Sequence, residues 1–165
     1  MAAEQHLKRT LQVGCSDGSI EDYATPTPGA FAPGWSPNGE MLAYLEPAMV
    51  PVAPPSTATT TRMIIRFVDS NGKQLFPQMP LGANFSNGFL AWSPDSKRVA
   101  VASVPANGAA QIWVVEPSSA QPFKKLLDLP TAFRPRGLTW SKDGGRVIYA
   151  AQEFNGDIVM YDLNK

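Results

Sequence analysis

The chain has 165 residues, enough for one domain that buries about two-thirds of the surface of its unfolded chain. The 14 Lys and Arg residues balance the 14 Asp and Glu residues, so no overall field favours nucleic acid or an anionic membrane. No apolar run approaches the roughly 20 residues of a membrane-spanning helix. A single cysteine, Cys15, excludes an internal disulfide and a cysteine-based zinc site.

The N-terminal segment predicts a strand. Residues 7–13 (LKRTLQV) parallel residues 123–129 (FKKLLDL), and we expect both to be outer strands of sheets. Charged side chains interrupt residues 1–14, which therefore lack the apolar core of a signal peptide.

A motif of seven residues occurs three times along the chain, as GWSPNGE, AWSPDSK and TWSKDGG. Its tryptophans, Trp35, Trp92 and Trp140, lie 57 and 48 residues apart. Each copy is followed by an apolar run and then by a second run that ends on an acid. These acids, Asp69, Glu116 and Asp162, lie 47 and 46 residues apart. A period in the forties with several strands in each unit is typical of a propeller blade.

The motif residues have structural reasons to be there. Proline favours the second position of a type I turn, and Gly39 and Gly144 accept the left-handed backbone conformation that closes a hairpin. Ser96 replaces this glycine in the second copy, which predicts a turn that is more strained or of another type. A serine that recurs in every copy indicates a turn residue and not a nucleophile, and the one histidine, His6, leaves no credible base for a triad.

With these residues the chain resembles the TolB-type β-propeller repeat, and also the blades of prolyl-oligopeptidase-type propellers. The resemblance covers roughly residues 31–162 and implies an all-β fold of four-stranded antiparallel meanders. We expect blades at 31–79, 87–129 and 136–162, with 7–13 as a closing outer strand, in one partial propeller domain of 1–165. Proteins of this family are often exported, which the N-terminus does not support, so the compartment stays open.

Three blades are too few for a closed ring, which typically has four to eight. One hypothesis is therefore that two chains form a six-bladed ring, a homodimer in which residues 7–13 of each chain complete the other's third blade. The alternative is a half-propeller cut from a longer chain.

Two insertions and two inter-blade links predict a binding face. Residues 15–30 and 46–61 lengthen links that emerge on one face of a propeller, and the second insertion favours an extended, semi-rigid loop. The links add five candidate binding residues: Asn84, Phe85, Phe133, Arg134 and Arg136. Two arginines beside an aromatic ring could grip a carboxylate or an aromatic ligand, or they could be ordinary rim residues.

No assembled catalytic set, metal site or cofactor motif occurs, so we expect a non-catalytic scaffold without a cofactor. Its predicted partner is a protein or peptide, with no nucleic acid and no membrane span. Two other readings stay open: a gating or sensing propeller of a larger enzyme, such as an oligopeptidase or receptor-like kinase, and a small-ligand site at the ring axis.

Overall fold

The protein is described by a computed structural model over residues 11–14, 17–23, 29–52, 57–81, 85–105, 109–131, 133–152 and 158–162. These residues form strands and turns and no helix. In chain order the strands are β1 (Leu11–Gly14), β2 (Ile20–Tyr23), β3 (Phe31–Trp35), β4 (Leu42–Pro51), β5 (Thr59–Val68), β6 (Met79–Pro80), β7 (Phe85–Trp92), β8 (Val99–Pro105), β9 (Gln111–Val115), β10 (Phe123–Asp128), β11 (Arg134–Trp140), β12 (Arg146–Gln152) and β13 (Ile158–Asp162).

Three antiparallel meanders carry the repeat. Strands β3 to β6 form a four-stranded sheet, β7 to β10 form a second, and β11 to β13 form a three-stranded sheet. We call them blade 1, blade 2 and blade 3. Neighbours in sequence are neighbours in each sheet, as short hairpin connections require. The predicted all-β class with antiparallel blades is confirmed. No helix of the described residues is long and apolar enough to cross a membrane.

Of the predicted closing outer strand at residues 7–13, residues 7–10 lie outside the described residues, and the described part lies in strand β1. Residues of β1 pair with β2 in an antiparallel hairpin, from Leu11 opposite Tyr23 to Gly14 opposite Ile20. The turn between them is closed by Gly18, whose φ is 85°, and by Asp17 Oδ1, which accepts a hydrogen bond from the Ser19 amide at 2.9 Å. The described part of residues 15–30, which the sequence predicts as a long connection, therefore contains a turn and a second strand.

The second insertion is not a loop along most of its length. Strands β4 and β5 remain paired from Leu42 opposite Val68 out to Pro51 opposite Thr59. Strands β4 and β5 have ten residues each. In blades 2 and 3 the equivalent second strands have seven residues and the third strands have five. We call the projecting part, residues 47–52 and 57–63, the arm. Its threonines suit an extended backbone, and this tertiary pairing replaces the semi-rigid loop that the prolines predicted.

The hydrophobic core lies between successive blades. Alternate residues of β4 and β5, among them Leu45 and Phe67, pack against Trp92 and Val101 of blade 2. The next layer joins blades 2 and 3 through alanines, Ile112, Trp140 and Tyr149. The rings of Phe67 and Trp92 meet edge to face with centroids 5.7 Å apart. Each large apolar side chain buried in this way stabilises the fold by about 1.5–3 kcal/mol, so the blades are held mainly by these two layers.

Each motif tryptophan of blades 2 and 3 joins its blade to the preceding one. The indole Nε1 of Trp92 donates to the Gly34 carbonyl at 2.7 Å, and that of Trp140 donates to the Ala91 carbonyl at 2.9 Å. Arg98 stacks over the Trp140 ring at 4.8 Å. The tryptophan of blade 1, Trp35, is 42% exposed, whereas the other two are at most 9% exposed. We call this repeated contact the tryptophan joint.

The motif turns are built as the sequence predicts. Gly39 and Gly144 have φ values of 74° and 69°, and Ser96 takes the same left-handed conformation at 59°. This conformation strains a residue that carries a Cβ atom. In each copy the motif serine hydroxyl donates to the Asn or Asp two residues later, as Ser141 Oγ does to Asp143 Oδ1 at 2.5 Å. These serines are therefore engaged in their turns.

Candidate functional site

The five candidate binding residues of the inter-blade links differ in their burial and in whether the structure describes them. Asn84 lies outside the described residues, and only the backbone of Phe85 is described, at the start of β7. Phe133 precedes β11 and is half-buried against the core between blades 2 and 3. Its ring therefore contributes to packing.

Arg134 and Arg136 are exposed on the first residues of β11. The Arg134 guanidinium donates to the carbonyls of Thr131 at 2.7 Å and Phe133 at 3.1 Å, which fixes the link that leads into blade 3. Arg136 Nε donates to Gln152 Oε1 on β12 at 2.6 Å. The structure thus places two cations and an amide at one end of blade 3, at the end where the second strand of a blade finishes.

The arm leaves blade 1 at the corresponding end, because it continues the second and third strands of that blade. Met49 is 62% exposed and is the most exposed large apolar residue of the described part of the chain. It lies directly opposite Thr61, whose hydroxyl donates to the Met49 sulfur at 3.2 Å. Val50, next along β4, is buried on the other face. The arm therefore presents one exposed face with an apolar group near its end.

A buried ion pair holds the base of the arm. Arg66 Nε donates to Glu46 Oε1 at 2.6 Å, and Arg66 Nη1 donates to Gln74 Oε1 at 2.5 Å. Glu46 is fully buried, and its second carboxylate oxygen has no partner among the described residues. Burial raises the pKa of the Glu46 carboxyl above its usual value, and the Arg66 guanidinium opposes this rise.

This pair was missed from sequence, although a signal exists. Glu46 ends the apolar run of β4, and Arg66 interrupts the run of β5. Charged residues are rarely fully buried without a partner. Two opposite charges on adjacent strands of one predicted blade can therefore be recognised as an ion pair once the pairing register is known.

A cleft of about 310 Å³ lies between blades 2 and 3 near the motif turns. The charged residues Arg98, Glu116 and Lys124 line this cleft together with aliphatic side chains of other residues. Arg98 donates to the Gly144 carbonyl at 3.2 Å and stacks on Trp140, so its guanidinium already serves the contact between the blades. The predicted site residues do not line this cleft. Within the described ranges no three His, Cys, Asp or Glu residues come together as a metal-binding group.

Comparison with known proteins shows the fold. No family model and no curated protein matches the chain. Among solved structures, TolB from Acinetobacter baumannii is 20% identical with a TM-score of 0.65 over 94% of this chain, which corresponds to 35% of TolB. A dipeptidyl aminopeptidase IV candidate from Bacteroides ovatus is 12% identical with a TM-score of 0.53 over 93% of this chain and 29% of its own.

The chain therefore has a β-propeller fold, similar in its blades to TolB, as the repeat resemblance predicts. It spans about a third of the length of these two structures, an extent that is consistent with half a propeller.

Proposed function

We propose that this protein is a non-catalytic β-propeller module that binds another protein or a peptide through the face that carries the arm. The observation that supports the proposal best is the arm itself, a paired hairpin that projects from one blade and presents Met49 at 62% exposure. Rigid scaffolds commonly bind through such projecting segments. The Arg134, Arg136 and Gln152 group adds polar contacts at the same end of blade 3.

The absence of catalysis is part of the proposal. The motif serines donate to their own turn residues, and Glu46 is neutralised by Arg66 within the sheet. The likeness to a dipeptidyl aminopeptidase structure concerns the fold and carries no activity to this chain. As part of a longer enzyme, the same face would serve for gating or substrate access.

Shortening the arm tests the binding proposal. A variant in which residues 49–61 are replaced by a two-residue Asn-Gly turn keeps the base of the hairpin, where Ala48 lies opposite Arg62. Affinity capture from the source cells, with bound proteins identified by mass spectrometry, is expected to recover a protein with the intact chain and lose it with the shortened one. Leu75→Ala, at another exposed apolar residue, serves as control. Equal recovery by the intact and shortened chains would refute the proposal.

The tryptophan joint supports a proposal about assembly: two chains close one ring. Trp35 stands in blade 1 where Trp92 and Trp140 stand in theirs, and it lacks the burial that the joint gives them. The equivalent carbonyl at the other end of the chain belongs to Thr139, the residue before Trp140, and Thr139 is exposed. A second copy would bring Trp35 Nε1 of one chain to Thr139 of the other, twice around a two-fold axis.

Light scattering during size-exclusion chromatography tests the dimer. The expected mass is twice 17.8 kDa for the wild-type chain, and Trp35→Ala is expected to shift the equilibrium to monomer. Met49→Ala, which removes an exposed apolar group from the arm, is expected to remain dimeric. A wild-type chain that is monomeric at 100 µM, on the order of the weak end of specific association, would refute the dimer.

A further inference from the structure

One edge of the arm, that of β5, has no strand partner among the described residues and keeps its hydrogen-bonding groups. Strand β6 pairs with β5 only at Ile64 and Ile65, and the Leu81 amide donates to the Met63 carbonyl at 2.9 Å. No strand of the described residues continues this pairing beyond Met63. Residues Thr59 and Thr61 follow on the arm and are exposed.

The direction of each backbone group follows from the Met63 contact. Backbone N–H and C=O groups of successive strand residues point to opposite edges, so residues two apart share an edge. Because the Met63 carbonyl points to the outer edge, the N–H and C=O groups of Thr61 and Thr59 point there as well. A strand added after Leu81 in the line of β6 would meet them in register.

The other edge of the arm is blocked. In β4 the residues opposite Met63, Thr61 and Thr59 are Pro47, Met49 and Pro51. Directly opposed residues in an antiparallel pair either both bond across the pair or both point away, so these three residues face the outer edge of β4. The two prolines have no N–H to donate, a common way to protect an edge strand. Of the two edges, only that of β5 offers a full set of donors and acceptors.

Charge indicates the chemistry of the occupant. Arg62 is the single charged residue between Pro47 and Met63. It is half-exposed and makes no ion pair with the described residues. An acidic side chain on an added strand beside β5 would lie within reach of Arg62, as cross-strand neighbours do.

We infer that the β5 edge of the arm binds an extended, acidic peptide segment of a partner protein by strand addition. The partner contributes backbone hydrogen bonds to Thr59 and Thr61, and its carboxylate pairs with Arg62. The strand begun by Met79, Pro80 and Leu81 is thereby prolonged along the arm. This inference rests on the proposed binding function and specifies how the arm carries it out.

A proline scan of the two edges tests the inference. The probe is a capped seven-residue peptide that alternates valine with polar residues and has one central glutamate. Titration into the ¹⁵N-labelled chain is expected to shift and protect the amides of Thr59 and Thr61. Thr61→Pro removes one outward N–H and is expected to weaken binding about tenfold, the loss of roughly one well-made hydrogen bond. Met49→Pro is the matched control, because Met49 lies directly opposite Thr61 and faces the other edge.

The charge requirement is tested in the same titration. Replacing the peptide's glutamate by glutamine, or Arg62 by glutamine, is expected to weaken binding about two- to fivefold, as for an exposed ion pair. Unchanged amide exchange and tryptophan fluorescence in both proline variants establish that the blades remain folded.

Three results would overturn the inference: no amide shifts at millimolar peptide, equal weakening by Met49→Pro and Thr61→Pro, or self-association through the arm that Thr61→Pro abolishes. A partner captured by the intact arm tells the two proposals apart. If Thr61→Pro retains that partner while the shortened arm loses it, strand addition is wrong and the binding function stands.

Discussion

Arg66→Met is the most informative single change in this chain, because it leaves the buried Glu46 carboxylate without its counter-ion at the base of the arm. Removing one partner of a buried ion pair typically costs about 3–5 kcal/mol. The upper part of this range applies here because Glu46 is fully buried and its second oxygen is already without a partner among the described residues. For a chain of this size the cost corresponds to a fall in Tm of about 6–20 °C.

Urea unfolding, monitored by tryptophan fluorescence, measures this loss of stability. An unchanged slope of the unfolding free energy against urea concentration shows that the folded state keeps its compactness. The double variant Glu46→Leu and Arg66→Met removes both charges, and we expect it to lie within about 2 kcal/mol of the wild type, because apolar replacement of a buried pair is often nearly neutral. A loss below about 1 kcal/mol in Arg66→Met, the size of an exposed pair, would refute the argument.

The pH dependence of the Arg66→Met effect has a definite sign. The folded-state pKa of Glu46 is raised above its unfolded value, so this group favours folding below the unfolded pKa and loses that contribution as the pH rises through the folded pKa. Without Arg66 the pKa rises further. The stability difference between wild type and variant is therefore expected to shrink as the pH falls, and a constant difference would contradict this account.

Three further predictions concern the motif. Ser96→Ala and Ser96→Gly both lose the Asn38 amide bond to Ser96 Oγ, but only Ser96→Ala keeps the left-handed strain, so it is expected to be less stable than Ser96→Gly by about 1 kcal/mol in urea unfolding. Trp92→Phe removes the indole donor to Gly34 and is expected to lower stability by about 1 kcal/mol or more. Hydrogen bonds from the Ser141 hydroxyl and the Gly145 amide lower the pKa of the Asp143 carboxyl. Asp143 therefore stabilises the fold above its unfolded pKa, and this stabilisation is lost as the pH falls through the folded pKa. Thermal unfolding of Asp143→Asn at a series of pH values is expected to lack this loss of stability in acid.

The blades could be predicted from sequence because their determinants are local. Each turn carries its own proline or glycine, and each apolar run follows the turn at a fixed distance. The missing glycine at Ser96 predicts a turn that is either more strained or of another type, and its φ of 59° confirms the first alternative.

The arm could not be predicted because its determinants are not local. Pro47 and Pro51 favour a loop in the sequence, since proline removes a ladder donor from a strand. In the structure both fall at positions whose N–H would point away from β5, where proline costs no hydrogen bond. That phase depends on the pairing register, which is set by contacts far along the chain. The ion pair between Glu46 and Arg66 could not be predicted for the same reason, because it also depends on the pairing register.

The tryptophan joint links each blade only to its predecessor, which makes the molecule resemble a linear array in its unfolding. Detaching blade 3 from this chain breaks one indole bond, whereas releasing blade 2 breaks two. Local opening in such arrays starts at the ends and advances inward. Hydrogen exchange is therefore expected to be slowest in the middle sheet, and a substitution that disrupts this sheet is expected to let blades 1 and 3 unfold independently.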